Sequence, residues 1–260
     1  MISLSSIKKK SKIVYRQSKP YQALGLIYDR IMQHVEYDGW ARYIKRIIET
    51  YGQFSNKILD VGCGTGQIIS EMQKLRIYAD GCDPSATMLK IARDKNPDKS
   101  FWIDRLPQLS KVPKSKYQVI ICLYDTINYL PSLTVIGEAL NRIYSLLPAG
   151  GLFIFDMVSA LFCQNYFHQT NDSEIIDEKY SYQRSTFFNV ETKQQINDFY
   201  IYTPSAVFEE RHIQTIFSFK KIKSLIEKET YFKLIAIYDD FTFCEAAEDS
   251  DRAHFILKRT

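Results

Sequence analysis

Apolar positions along the chain follow two rhythms. From Tyr21 onward Leu24, Ile27, Tyr28, Ile31 and Met32 fall at helical spacing. Trp40, Tyr43, Ile44, Ile47 and Ile48 share one face of a second predicted helix over 38–51, with Asp38 placed to cap it. The centre then alternates short apolar runs with helical stretches. Runs at 57–61, 78–82, 100–103, 119–123 and 151–155 read as strands. Between them a helix follows the first run through Met72, another covers 86–93, and a third covers 133–147, with Ser132 as its cap. The run at 119–123 is uniformly apolar, as a strand covered on both faces should be. Strands alternating with helices imply a parallel sheet with right-handed crossovers.

The last part has another character. Residues 152–260 hold no glycine, and Pro204 is their sole proline. Residues 175–217 are rich in Tyr, Phe, Thr, Ile and Val without a helical period, which predicts antiparallel strands. A helix over 219–229, capped by Ser218, precedes two closing strands at 232–238 and 253–258, joined by the acidic stretch 239–252. The expected organisation is a basic arm over 1–20, frayed because it lacks apolar periodicity, and a core with its N-terminal helices over 21–157. An antiparallel insertion over 158–217 roofs the site, and a closing helix with two strands fills 218–260.

Composition narrows the function classes. The 260 residues are 45% apolar and 25% charged, enough for a sizeable core. Net charge is +4, and the one dense basic run is Lys8, Lys9, Lys10 and Lys12. A nucleic-acid binder calls for a broader basic stripe, so the charge pattern argues against that partner. No stretch reaches the roughly 18 apolar residues that span a bilayer, and the start has apolar residues before lysines, the reverse of a signal peptide. Five cysteines (Cys63, Cys82, Cys122, Cys163 and Cys244) without a CxxC pair argue against disulfides and against a metal site. The expected compartment is the cytoplasm.

The most informative stretch is Ile58-Leu59-Asp60-Val61-Gly62-Cys63-Gly64-Thr65-Gly66. An apolar strand runs into a turn whose glycines permit close approach of a ligand, and the following helix start attracts an anionic group. The glycine spacing is GxGxG, not the GxGxxG of dinucleotide folds. Asp83 closes the next strand 21 positions after Gly62, where a carboxylate can hold the two hydroxyls of a ribose.

These residues resemble the class I S-adenosylmethionine-dependent methyltransferases. Asp60 to Gly66 matches their first motif, and Gly81-Cys82-Asp83-Pro84-Ser85-Ala86-Thr87-Met88-Leu89 resembles their second. Asp104, just past the third strand and followed by Arg105, sits where that family places an acid near the adenine, and Leu147 to Asp156 resembles its turn and fifth strand. Tyr28-Asp29-Arg30-Ile31-Met32 with Tyr37-Asp38-Gly39-Trp40, Asp125-Thr126-Ile127-Asn128-Tyr129-Leu130, the trio Glu210, His212 and Gln214, and Tyr238 to Phe243 are similar to a bacterial branch of small cytosolic methyltransferases. Thr215 and Thr230-Tyr231 depart from that pattern. The resemblance implies a Rossmann-like, seven-stranded, mostly parallel sheet with flanking helices, and an antiparallel β insertion before the closing strands. It also implies S-adenosylmethionine as cofactor, held by Asp60, Gly62, Cys63, Gly64, Thr65, Gly66, Asp83, Pro84, Met88, Asp104, Arg105, Leu123, Tyr124, Asn128, Tyr28 and Trp40.

Methyl transfer is an in-line displacement, so the protein has mainly to align acceptor, methyl and sulfur and to exclude water. Residues after Leu123 lie at the carboxyl edge of a parallel sheet, where ligands bind. Tyr124, Asp125, Asn128 and Tyr129 are therefore expected to face the donor. His212 with Glu210 two positions away is the candidate general base, and Asp125 the third candidate catalytic residue. The expected function is methylation of a small-molecule nitrogen or oxygen. The alternatives are a nicotinamide-dependent reductase, a non-catalytic binder of S-adenosylmethionine, and an RNA methyltransferase.

Overall fold

A computed structural model of the chain describes residues 14–52, 57–114 and 116–260. Lys8 to Lys12 lie outside the described residues. The central sheet has seven strands: β2 (Lys57–Val61), β3 (Tyr78–Asp83), β4 (Phe101–Ile103), β5 (Val119–Cys122), β6 (Leu152–Val158), β11 (Phe232–Asp239) and β12 (Arg252–Arg259), in the order β11-β12-β6-β5-β2-β3-β4. Only β12 runs against its neighbours; the other pairs are parallel. The order reverses between β2 and β5, and such a switch point opens a crevice beyond the strands' carboxyl ends.

Alternation along each strand builds two cores, one per sheet face. Leu59, Val61, Ile120, Phe153, Phe155 and Phe255 face α5 (Leu133–Leu146) and α7 (Phe219–Glu229). Ile58, Val119, Ile121, Ile154 and Ile256 face α2 (Tyr37–Tyr51), α3 (Gln67–Lys74) and α4 (Ala86–Lys95). The caps expected at Ser132 and Ser218 form, each hydroxyl accepting an amide three residues on. Asp38 does not cap α2. The helix begins one residue earlier, at Tyr37, and the Asp38 carboxylate instead accepts the Gly39 amide and pairs with Arg42.

Two further departures concern the chain's start. The continuous helix expected from Tyr21 is broken into a 3₁₀ turn, Leu24–Leu26, and one turn of helix, α1 (Tyr28–Ile31). Tertiary bonds and a left-handed Tyr21 (φ 64°) override the apolar spacing there. Tyr15–Ser18, expected in a frayed arm, form strand β1 parallel to β10 (Val207–Thr215). With β7 (Gln169–Ile175), β8 (Ser181–Asn189) and β9 (Gln194–Tyr202) they make a second sheet, ordered β1-β10-β9-β8-β7, reached through α6 (Ala160–Tyr166). Ala23, Leu24 and Ile27 pack on Tyr182, Phe199 and Ile201 of this sheet, so residues 19–31 form a strap between it and the core.

Gly81 tests the packing beneath the glycine loop. A β-carbon there would lie 2.6 Å from Cys63 Sγ and 2.8 Å from Ile69 Cδ1. Gly81→Ala is expected to lower the urea-unfolding free energy by about 1–3 kcal/mol. An unchanged midpoint contradicts the tight fit between β3 and the loop.

Candidate active site

At the end of β2 the chain turns left-handed three times, at Gly62 (φ 79°), Gly64 (φ 53°) and Gly66 (φ 76°). Gly62 has no room for a side chain, because a β-carbon would meet Thr126 at 2.5 Å. Gly64 is different: among the described residues nothing lies within 4 Å of where its β-carbon would be. Its backbone faces open space. That space is a cleft of about 440 Å³, counted to its open mouth, lined by Asp60, Gly62, Cys63, Gly64, Thr65, Gln67, Ile68, Leu123, Tyr124, Tyr28, Tyr37 and Trp40. Nine residues expected at the donor site therefore gather there: Asp60, Gly62, Cys63, Gly64, Thr65, Leu123, Tyr124, Tyr28 and Trp40.

The others fall beside the cleft. Asp83 ends β3, is 7% exposed, and accepts the Gly64 amide at 3.1 Å and the Ser85 amide at 2.8 Å. Burial raises its carboxyl to about 6, although the two amides work to lower it. Pro84 follows it, and Met88 is buried in the first turn of α4. Asp104 is buried and accepts the amides of Arg105 and Lys111, which fixes the loop after β4. Gly66 precedes α3, and Asn128 is buried, donating its amide to the Thr215 carbonyl at 3.0 Å.

Beyond β5, Tyr124 (φ 59°) and Asp125 (φ 51°) are consecutive left-handed residues, a costly conformation for residues with side chains. Several bonds hold them. The Asp125 amide donates to Asp156 Oδ2 at 3.0 Å, and Gln214 Nε2 donates to Asp125 Oδ2 at 2.5 Å. Arg252 pairs with both Asp125 and Asp156, and its guanidinium lies over the Trp40 and Tyr124 rings, 5.3 and 5.4 Å from their centroids. Burial opposes the Arg252 charge, but the two carboxylates outweigh it and keep the guanidinium protonated. His254, two residues on, is buried among Trp40, Tyr43 and Phe241, and burial together with Arg252 pushes its pKa down to about 3.

His212 and Glu210 do come together, with Nε2 3.3 Å from Oε2, and each is 2% exposed. With Nε2–H turned to Glu210, Nδ1 is left to accept from the Tyr129 hydroxyl at 3.0 Å, which in turn meets the Tyr21 hydroxyl at 2.6 Å. The imidazole thus reaches outward only through two phenols, both partly exposed. The sequence reading missed Tyr21, Gln67, Ile68, Asp156 and Arg252 as site residues. Arg252 carried no local signal, being one cation after an acidic stretch.

Comparisons with known proteins agree with this geometry. Residues 58–151 match the family profile described as a methyltransferase domain. The chain is similar to a provisionally named methyltransferase of Geobacillus sp. (strain WCH70), 28% identical over 249 residues, covering 92% of this chain and 99% of the relative. Among solved structures it resembles an S-adenosylmethionine-dependent methyltransferase from Clostridium acetobutylicum ATCC 824, with TM-score 0.75, 18% identity, and 90% and 97% of the two chains covered. It also resembles the sugar N-methyltransferase KedS8 from Streptoalloteichus, with TM-score 0.72, 16% identity, and 100% and 98% covered. The likeness to these structures shows the fold; the matched domain adds the class. The matched domain and these relatives support a class I S-adenosylmethionine-dependent methyltransferase, with S-adenosylmethionine as the methyl donor. The residues present fit that donor: the space over Gly64 takes a ligand against bare backbone, and aromatic faces at Tyr28, Trp40 and Tyr124 suit a sulfonium.

Asp60 yields a test of the cleft's electrostatics. Burial, then the nearby Asp83 charge, pushes its carboxyl up to about 8. The folded chain therefore keeps a proton that the unfolded chain releases near pH 4, and stability falls as pH climbs from about 4 to about 8. Asp60→Asn, which carries no such charge, is expected to gain on the native chain in urea unfolding as pH rises, with its advantage at pH 8.5 larger than at pH 4 by about 2 kcal/mol or more. Equal midpoints at both pH values would contradict the buried, uncompensated carboxyl.

Proposed function

We propose that this enzyme methylates a nitrogen or oxygen of a small molecule, with an amine the better fit. The observation that carries this reading is the wall beyond the glycine loop. There two acids, Asp125 and Asp156, flank the single cation Arg252 beside the ring faces of Trp40 and Tyr124; burial raises both carboxyls, and the Arg252 charge works against that rise. Two acids and aromatic faces favour a cationic or amine acceptor over an anionic one. KedS8, whose fold this chain shares, is a sugar N-methyltransferase, which supports the same direction.

Glycines 62, 64 and 66 would cradle the amino-acid end of the donor, Asp83 its sugar, and Met88 with Asp104 its base. When bound, the donor supplies a methyl on sulfur, which the acceptor lone pair takes as the carbon–sulfur bond electrons return to sulfur. The protein's part is alignment and exclusion of water. The acceptor's surplus proton would leave through Tyr129 to His212 Nδ1, with Glu210 holding the Nε2–H. The imidazole acts as a base through the phenol, since it has no direct face on the cleft. Five free thiols support a reducing, cytoplasmic setting.

Titration with S-adenosylhomocysteine and with NADH separates the donor reading from a reductase. Binding of the former alone is expected, and Asp83→Asn should weaken it by about 10-fold or more. NADH binding without S-adenosylhomocysteine binding would overturn the reading. For the acceptor, methyl-labelled donor incubated with fractionated cell extract should label small amines. Label confined to RNA would replace the acceptor proposal.

A further inference from the structure

The strap lies where the nucleoside half of the donor has to go. The Tyr21 carbonyl accepts from the Ser85 hydroxyl at 2.8 Å, two residues past Asp83. Gly25 sits on the start of α4 so closely that a β-carbon there would be 3.1 Å from Thr87 Cγ2 and 3.5 Å from Met88 Sδ. Asp83 and Met88 accordingly do not line the open cleft. The strap has two fixed ends. One is β1, paired with β10. The other is Asp29, which accepts from Thr65 Oγ1 at 2.6 Å and pairs with Lys95 at 2.5 Å.

Between those ends one carboxylate gathers most of the polar contacts. Glu210 Oε1 accepts from Ser18 Oγ at 3.0 Å, the Ala23 amide at 2.5 Å and the Leu24 amide at 3.2 Å, while Oε2 accepts the Tyr21 amide at 2.8 Å. Burial alone would raise this carboxyl, but the bonds from His212, Ala23, Leu24 and Ser18 outweigh it and hold it below the usual range. A charged acceptor bonded to several backbone amides is among the stronger non-covalent attachments. It also fixes Tyr21 in its left-handed conformation.

We propose that Glu210 is a positioning residue that latches residues 19–28 over the nucleoside end of the donor site, and that donor and product exchange only when this carboxylate releases the strap amides. The proposal rests on the reading of Asp83 as the sugar-holding residue. It gives Glu210 a task beyond orienting His212: it sets how fast the site opens.

The test uses the full chain. Amide hydrogen exchange at Tyr21, Ala23 and Leu24 is measured without ligand, and association and dissociation of S-adenosylhomocysteine are followed by stopped-flow tryptophan fluorescence, to which Trp40 in the cleft and Trp102 both contribute. Glu210→Gln should speed amide exchange at those three positions and both ligand rates by about 10-fold or more, while the dissociation constant moves less. Ser18→Ala and Ser85→Ala, which leave Glu210 in place, should give smaller accelerations in the same direction and serve if Glu210→Gln does not fold. Ligand rates unchanged in all three variants, or native amides at 21, 23 and 24 already exchanging without protection, would overturn the latch. Failure of the native chain to bind S-adenosylhomocysteine at all would overturn the donor reading instead, and the exchange data would then judge the latch alone.

Discussion

The hydrogen bond from the Gly64 amide to the Asp83 carboxylate joins the two strand ends on which the site is built. It ties the loop after β2 to the end of β3, and it exists because three glycines let the chain turn left-handed in succession. With side chains at those positions the loop would collide with Thr126 and Asn96 or fill the space over Gly64. The carboxylate that receives the amide is buried, so its position is sharply fixed. A cleft at the switch point of the sheet follows from this one contact and the strand order.

Around it, three outlying parts converge from distant stretches of sequence. Arg252, at the start of the last strand, clamps the strained turn at Tyr124 and Asp125. The insertion sheet supplies Gln214, His212 and Glu210 from alternate positions of one strand, and all three point to the same side. The strap crosses from that sheet to the glycine loop. Its bonds to Glu210 and Ser85 face opposite partners, so the strap couples the insertion to the core. The site is shaped by this convergence more than by any single element.

Much of this was legible in the chain. The core strands announce themselves by uniform apolar runs, because a parallel strand buries both faces. The glycine loop and Asp83 are readable since their spacing is local, and the Ser132 and Ser218 caps since a hydroxyl bonds an amide three residues away. What escaped reading was long-range or carried by backbone. Tyr15–Ser18 show no apolar pattern, because β1 joins the sheet through its main chain with mostly exposed side chains. The helical spacing from Tyr21 to Met32 misled because those apolar residues pack on the insertion sheet from a 3₁₀ turn and a single helical turn. Glu210 and Tyr21 lie 189 residues apart, and no local pattern predicts such a bond.

On the proposed reading, the donor lies against the glycine loop with its sugar at Asp83. The most direct measurement is a titration of glycine-labelled protein with S-adenosylhomocysteine, following amide resonances by NMR. The chain has only ten glycines, so each can be resolved. Gly62, Gly64 and Gly66 are expected to shift together and saturate, while Gly137 in α5 and Gly151 before β6 stay in place. Large shifts confined to those two glycines, with the loop unmoved, would contradict it.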